Sequence, residues 1–160
     1  QLTLERLRQK LDAGLGSKLI RRYRRLEHTS SNQWEKHAAR YTVILLGALL
    51  MGTGARIKDG DLQHLRQLTL FANTGLHGPA KKQFLAALDN YQPGTPRNFM
   101  EASCYNCGKT CQDTEKALLR CAECTDGFAW FCDEDCHQNL WTTHEPNCCA
   151  ARRNSRMLDI

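Results

Sequence analysis

No cysteine occurs in the first 103 residues of this 160-residue chain. The sequence also has no glycine-rich phosphate loop, no His-Glu-x-x-His motif and no pair of carboxylates on a recognisable catalytic scaffold. These absences favour a noncatalytic chain. The longest apolar run, residues 41–52, is too short to cross ~30 Å of hydrocarbon at ~1.5 Å per residue. We therefore expect it to be a buried core helix, and we expect no membrane association.

Acidic residues are scarce in the first hundred positions and abundant after them. Residues 1–100 carry sixteen Lys and Arg against seven Asp and Glu, whereas residues 101–160 carry six against ten. An acidic surface repels a phosphate backbone. The charge pattern therefore disfavours nucleic acid as a partner of the C-terminal part and leaves protein partners as the expectation.

All nine cysteines follow residue 103, and eight Cys and His side chains there form four closely spaced pairs. Two or three intervening residues let a turn aim both ligand atoms of a pair at one ion. The series predicts a cross-braced finger with two Zn²⁺, in which alternate pairs share an ion: Cys104, Cys107, Cys132 and Cys136 at the first, and Cys121, Cys124, His144 and Cys148 at the second. Sites closed by four protein ligands are structural.

A disulfide framework is the main alternative, but an odd number of cysteines and a histidine in the ligand series argue against it. Thiols kept for metal favour an intracellular location, in the nucleus or the cytoplasm. Within the metal interpretation, Cys111 could replace a member of the first pair, and Cys149 could replace Cys148. No secretory segment is recognisable, and because the chain begins with Gln1 we expect a piece of a longer protein.

The end of the ligand series resembles the second half of a MYND zinc finger. The resemblance covers residues 104–148, and two of its loops, between the first and second pairs and between the second and third, are somewhat longer than usual. The residues that carry it are Phe131, Cys132, Cys136, Trp141, His144 and Cys148, and the Trp-x2-His-x3-Cys ending is the most specific part.

The resemblance implies a small ββα-like module that recruits peptides, including proline-containing ones, as a strand added beside the finger. Trp141 matches the tryptophan that packs on the peptide, although a packing role inside the finger is the alternative. His137 stands where the family commonly has a glutamine that helps to hold the peptide. The finger has few apolar residues, so metal binding must supply much of its folding free energy.

The first part of the chain is helical by pattern. Leucines at positions 4, 7, 11, 15 and 19 predict one apolar stripe on a helix over residues 3–26. A second helix is expected from about Trp34 to Gly52, a third from a cap at Asp61 to about Asn73, and a fourth after Pro79. The third helix should bury Leu62, Leu65, Leu68 and either Leu70 or Phe71.

The predicted fold class is mainly α: an N-terminal helical bundle, or a fragment of a helical solenoid, followed by a small zinc-stabilised finger. We expect a helical domain at 1–92, a linker at 93–103, the finger at 104–149 and a C-terminal tail at 150–160. An apolar second helix would need a neighbouring repeat or a partner subunit if nothing else covered it.

One dense basic cluster, Arg21, Arg22, Arg24 and Arg25, lies in the first helix. It is either a solvated helix end or a binding site for polyanions. Three functional hypotheses result. The first is an adaptor whose finger and helices recruit protein partners. The second is an accessory region of a larger enzyme, such as a methyltransferase or ubiquitin-ligase assembly. The third is nucleic-acid binding through the basic helices.

Overall fold

The computed structural model describes residues 3–124 and 129–148. These residues are mainly helical. The helices are α1 (Leu4–Lys10), α2 (Gly16–Thr29), α3 (Gln33–Thr53), α4 (Asp59–Phe71), α5 (Gly78–Asp89), α6 (Cys111–Thr114) and α7 (Glu134–His144). The two short strands are β1 (Leu119–Arg120) and β2 (Trp130–Phe131), and they pair antiparallel. No helix among the described residues combines the length and the apolar content needed to cross a membrane.

The predicted first helix is interrupted at Gly14. A five-residue π-helical turn, Leu11–Leu15, joins α1 to α2, and Gly14 has a left-handed φ of 98° within it. This turn rotates the leucines of α1 away from the face that the leucines of α2 occupy. Leu11 is buried, but Leu4 is 64% exposed and Leu15 is 41% exposed. The prediction of one continuous buried stripe was therefore wrong.

Helices α2 and α3 form an antiparallel hairpin. The side chain of Asn32 caps α3 by accepting a hydrogen bond from the Trp34 amide at 2.9 Å. At the other end of the hairpin, Gly16 lies so close to Leu50 that a Cβ there would be 2.6 Å from the leucine Cδ2. Glycine at position 16 therefore permits the close approach of the two helices.

Helix α3 is buried on one face only. Val43, Ile44, Leu50 and Met51 are almost completely buried in the core of the helical unit. Its opposite face carries four large apolar side chains that remain open to solvent: Trp34 (76% exposed), Tyr41 (45%), Leu45 (50%) and Leu49 (42%). The expectation of a buried core helix therefore holds for one face of α3 only.

Helix α4 starts three residues earlier than predicted. Lys58 is its N-cap, and Asp61 lies in its first turn, where it accepts a hydrogen bond from the Ser17 hydroxyl at 2.7 Å. The assignment of Asp61 as the cap was wrong because this tertiary hydrogen bond uses its side chain. Leu65 and Leu68 are buried as predicted, but Leu70 is 41% exposed and Phe71 is 85% exposed.

The segment after α5 is held against the end of α3. The Tyr91 hydroxyl accepts a hydrogen bond from the Ile57 amide at 2.8 Å and donates one to the Ala55 carbonyl at 2.7 Å. The Gly94 amide donates to the Gly54 carbonyl at 2.9 Å. Part of the segment predicted as a linker is thus hydrogen-bonded to the helical unit.

The chain divides into two compact units. The helical unit contains the described residues up to His77 together with Ala87–Phe99. The cysteine-rich unit contains Gly78–Ala86 and the described residues from Met100 onwards. The sequence placed residues 78–86 in the helical domain, whereas here the first turns of α5 belong with the cysteine-rich unit.

Candidate metal centre

The first group of ligands consists of four cysteines. Their sulfur atoms all lie within 4.8 Å of one another, and those of Cys107 and Cys132 are 3.4 Å apart. Cys104 and Cys107 are on a turn closed by a 2.8 Å hydrogen bond from the Gly108 amide to the Cys104 carbonyl. Cys132 directly follows β2, and Cys136 is in the first turn of α7.

The second group consists of three cysteines and a histidine, all of them buried. Nε2 of His144 is 3.4 Å from the sulfur of Cys121 and 3.5 Å from that of Cys124. The sulfur atoms of Cys124 and Cys148 are 3.4 Å apart. Cys121 directly follows β1, and His144 is the last residue of α7. In the two groups together, strand ends and the two ends of α7 supply four ligands, and segments outside the strands and α-helices supply the other four.

Both groups have the dimensions of a four-coordinate metal site. A metal–sulfur bond of about 2.3 Å in a tetrahedron separates two sulfur atoms by about 3.8 Å. The sulfur–sulfur separations of 3.4 Å in the first and second groups are slightly shorter than this. The first and third pairs of the sequence form one group, and the second and fourth form the other. The chain thus brings together two sets of four ligands that can hold two metal ions.

Two thiols of the first group, Cys132 and Cys136, resist ionisation unless a cation is near. Burial and the neighbouring sulfur atoms of Cys107 and Cys104 raise the pKa of Cys132 far above its ordinary value. Burial likewise raises the pKa of Cys136 to about 12, with the thiols of Cys104 and Cys107 contributing. A divalent ion would remove this penalty because it attracts every thiolate around it.

The pKa of the Cys104 thiol is shifted in the opposite direction. Burial disfavours its thiolate, but its sulfur accepts backbone hydrogen bonds from Cys107, Cys132 and Asn106, and its pKa lies below the ordinary value. Amide donors of this kind orient a ligand and stabilise its charge. The first group therefore contains one thiol that is prepared for ionisation by the backbone itself.

His144 is held in place by aromatic rings. Its ring meets those of Phe131 and Trp141 edge-on, with centroids 5.7 Å and 5.9 Å away. Burial and the neighbouring His137 lower its pKa. The neutral imidazole that a metal ligand requires is therefore the favoured form.

Helix α7 is fixed at its start by Asp133. The Asp133 carboxylate accepts a hydrogen bond from the Cys136 amide at 2.7 Å, which caps the helix and orients the ligand turn. The helix contains the whole segment 137–143 between the ligands Cys136 and His144. One capped helix thus places Cys136 in the first group and His144 in the second.

Sequence reasoning missed a supporting contact from α5. Gly108 has a left-handed φ of 79°, and a Cβ at this position would overlap the backbone of Lys82 and Gln83. Lys82 also donates from Nζ to the Tyr105 carbonyl at 2.9 Å, and Gln83 donates to the Glu101 carbonyl at 3.1 Å. A glycine directly after a Cys-x2-Cys pair was the available signal for a tight turn, but it does not identify the helix that packs on that turn.

The remaining predicted site residues are in different places. Cys111 begins α6, is half-buried and belongs to neither ligand group. Cys149 and the tail lie outside the described residues. Trp141 is half-buried, and its ring is 5.2 Å from that of His137. The four arginines, Arg21, Arg22, Arg24 and Arg25, are all exposed on α2.

A cleft of about 310 Å³ lies beside β1. Its walls come from the strand, from Phe131 and from the start of α7, with His137 among the lining residues. Leu119 contributes an apolar side chain that is 51% exposed. Trp141 is not among the residues that line this cleft.

Comparisons of the chain with protein-family models, curated proteins and solved structures gave no match. The function must therefore be argued from the two ligand groups, the cleft and the exposed surfaces. The ligand groups are the strongest starting point, because eight side chains from distant positions converge on two small volumes.

Proposed function

We propose that this chain is a noncatalytic adaptor in which a two-zinc, MYND-type finger recruits a peptide segment of a protein partner. The observation that carries the proposal is the convergence of two complete four-ligand groups from interleaved pairs. Each group contains the number of ligands that a tetrahedral structural site uses, and no position is left for a reacting water.

The donor set favours zinc over the hard cations. Seven thiols and one imidazole make up the two groups, and oxygen ligands are absent from both. Calcium and magnesium select oxygen, whereas zinc accepts sulfur and nitrogen in a tetrahedral arrangement. Zinc bound here would act as a structural cross-link that ties β2 and α7 to the preceding turns.

The cleft beside β1 supports the peptide-binding part of the proposal. Strand β2 is bridged on its far side to Cys104, so β1 forms the outer edge of the small sheet. An extended peptide can add to such an edge through backbone hydrogen bonds, while a neighbouring pocket selects its side chains. Leu119 would supply an apolar contact, and Arg120, Asp133 and Glu134 would offer the peptide charged groups of both signs.

His137 and Trp141 contribute differently in this proposal. His137 lines the cleft and contacts the peptide directly. Trp141 positions the His137 ring through its edge-on contact, and it also supports His144. The structure therefore favours an indirect role for Trp141, in place of the direct packing that the MYND resemblance implied.

The test uses an array of proline-containing peptides probed with the zinc-loaded chain. Leu119→Ser is expected to weaken the best peptide at least tenfold, since it removes the exposed apolar contact at the cleft. Met100→Ser is the matched control, because Met100 is 94% exposed in the same unit and does not line the cleft. Equal affinity of both variants, with zinc content unchanged, would contradict the proposed cleft.

Nucleic-acid binding by α2 is a second candidate because one end of the helical unit is both basic and aromatic. The last turns of α2 and the end of α4 meet there, since Arg24 and His28 share a cleft of about 360 Å³ with Phe71. Phe71 is exposed and could stack on a base. A steep salt dependence of single-strand binding, lost in an Arg21→Glu/Arg25→Glu double variant, would support this function.

A further inference from the structure

The cysteine-rich unit has a second cleft, which the proposed function does not use. It has a volume of about 370 Å³, and its walls come from the first turns of α5, the last turns of α7 and the side chain of Tyr105. Pro79, Tyr105 and Leu140 make the walls largely apolar, and Lys82 is the only charged side chain among the described residues that line the cleft. This lining favours a ligand that combines an apolar group with a negative charge.

The ammonium group of Lys82 has donor capacity left for such a ligand. Among the described residues it donates to the Tyr105 carbonyl, at 2.9 Å, and an ammonium carries three N–H donors. The bond to Tyr105 also holds the ammonium in place, so less side-chain entropy is lost when a ligand binds. The N-terminal end of α5, which begins at Gly78 in the cleft wall, adds to the positive potential.

A ring nitrogen of His144 is the second donor. Nε2 of this histidine lies 3.4 Å from the sulfur of Cys121, so Nδ1 is on the other side of the ring. In the part of the chain that the structure describes, Nδ1 has no hydrogen-bond partner, and His144 lines the cleft. A histidine that binds a metal through one nitrogen almost always donates a hydrogen bond from the other. An acceptor in the cleft would supply this partner.

We propose that this cleft binds the C-terminal carboxylate of a peptide whose last side chain is apolar, with Lys82 and His144 as the donors to the carboxylate. The inference rests on the zinc part of the proposed function, because metal at Nε2 leaves Nδ1–H as a fixed donor. In a terminal residue the carboxylate and the side chain are attached to the same carbon. One group can therefore meet the donors while the other packs on Tyr105 and Leu140.

A ligand bound in this way would also affect the second group of metal ligands. A carboxylate that accepts from Nδ1–H raises the basicity of the His144 imidazole, and partners of this kind change metal affinity by about 10–100-fold. We therefore expect the cleft ligand to slow the release of one ion, the one held by the group that contains His144. Release of the ion held by the four-cysteine group should be unchanged.

Two small compounds test the proposal on the reduced, zinc-loaded chain. N-acetyl-leucine carries a carboxylate beside an apolar side chain, and N-acetyl-leucinamide has the same side chain without the charge. Zinc release to a competing chelator is followed in the presence of each compound. We expect N-acetyl-leucine to slow the release of one of the two ions by about tenfold and N-acetyl-leucinamide to leave both rates unchanged. Equal rates with the two compounds would overturn the proposal.

Substitutions at position 82 test whether the carboxylate binds in this cleft. Lys82→Met should abolish the effect of N-acetyl-leucine, whereas Lys82→Arg should keep it because the positive charge remains. Lys116→Met is the matched control and should respond like wild type, because Lys116 is exposed in the same unit and does not line the cleft. A full response in Lys82→Met, or an equal loss in Lys82→Met and Lys116→Met, would contradict the assignment of Lys82.

The metal content distinguishes a failure of this inference from a failure of the proposed function. A chain that holds two zinc ions, but releases both at the same rate with and without N-acetyl-leucine, would overturn the carboxylate site alone. A chain that holds no zinc would contradict the proposed function and this inference together.

Discussion

The sulfur atoms of Cys124 and Cys148 lie 3.4 Å apart, although the two residues are 24 positions apart in the chain. Neither residue belongs to a strand or to an α-helix. Between them the chain passes through β2 and the whole of α7. What joins them is therefore the ligand group they share with Cys121 and His144, and the two-zinc proposal gives that group a physical function.

Cys136→Ser should lower the metal content from two ions per chain to one. The remaining three thiols of the first group lack a fourth strong ligand, and a structural zinc site loses most of its affinity when a ligand is removed. Mass-spectrometric metal analysis of protein purified without a metal-binding tag measures this. Cys111→Ser is the control and should retain both ions, because Cys111 is outside the ligand groups. If both variants lost the same metal, the assignment of the first group would be wrong.

Gly108→Ala should destabilise the cysteine-rich unit by more than about 2 kcal/mol, because alanine resists the left-handed φ and its Cβ would overlap the α5 backbone. Gly60→Ala is the matched control. A Cβ at position 60 meets nothing within 4 Å, and alanine in the first turn of α4 should be neutral or stabilising by up to about 1 kcal/mol. The rate of zinc release to a competing chelator measures the loss of stability in Gly108→Ala. The midpoint of thermal unfolding measures the effect of Gly60→Ala. Equal chelator resistance in wild type and Gly108→Ala would contradict the packing of α5 on this turn.

Tyr91→Phe should cost the helical unit about 1–3 kcal/mol. The phenol of Tyr91 pairs with the Ile57 amide and the Ala55 carbonyl, and phenylalanine would leave both groups without this partner. Urea unfolding followed by far-UV circular dichroism gives the change. Tyr41→Phe serves as control, because Tyr41 is 45% exposed. A loss below about 0.5 kcal/mol in Tyr91→Phe would mean that water replaces the hydroxyl.

His64 should make the helical unit less stable in mild acid. Burial lowers its pKa below 6.5, as do Arg24 and His28, while Glu27 and Asp61 act in the opposite direction. The unfolded chain then binds the proton more readily than the folded one, so the free energy of unfolding falls as the pH drops below about 6.5 and levels off below the folded pKa. The urea midpoint at pH 5.5 and pH 7.5 measures this.

His64→Gln should reduce the difference between those two midpoints, whereas His77→Gln, at an exposed position, should leave it unchanged. Acid also protonates the metal ligands, and this lowers the stability of both variants equally. The effect therefore cancels when the two variants are compared. A pH dependence identical in His64→Gln and wild type would show that another group carries it.

Local spacing was enough to predict the ligand groups. Each pair, such as Cys121 and Cys124, is made by a turn of fixed length, so its geometry is encoded in adjacent residues. The helices of the first part were predicted for the same reason, with the apolar period as the signal. The approximate extent of α3 followed from this local pattern.

Tertiary effects account for what the sequence did not predict. Asp61 looks like a helix cap, but a serine 44 residues away uses its carboxylate. Leu4 continues the leucine period, but the left-handed Gly14 turns its helix away from the core. Phe71 fits the apolar period of α4 and still lies at the exposed end of the unit. For Asp61 the decisive neighbour is distant in sequence, so no local pattern contains it.

The alternation of the ligand pairs also determines when each metal site can form during translation. The site that begins at Cys104 is incomplete until Cys136 has left the ribosome, and the site that begins at Cys121 must wait for Cys148. The first two pairs therefore emerge as half-sites, each with two thiols and no partner pair. The site that opens first also closes first, twelve residues before the other, so the nascent chain should acquire its two ions in that order.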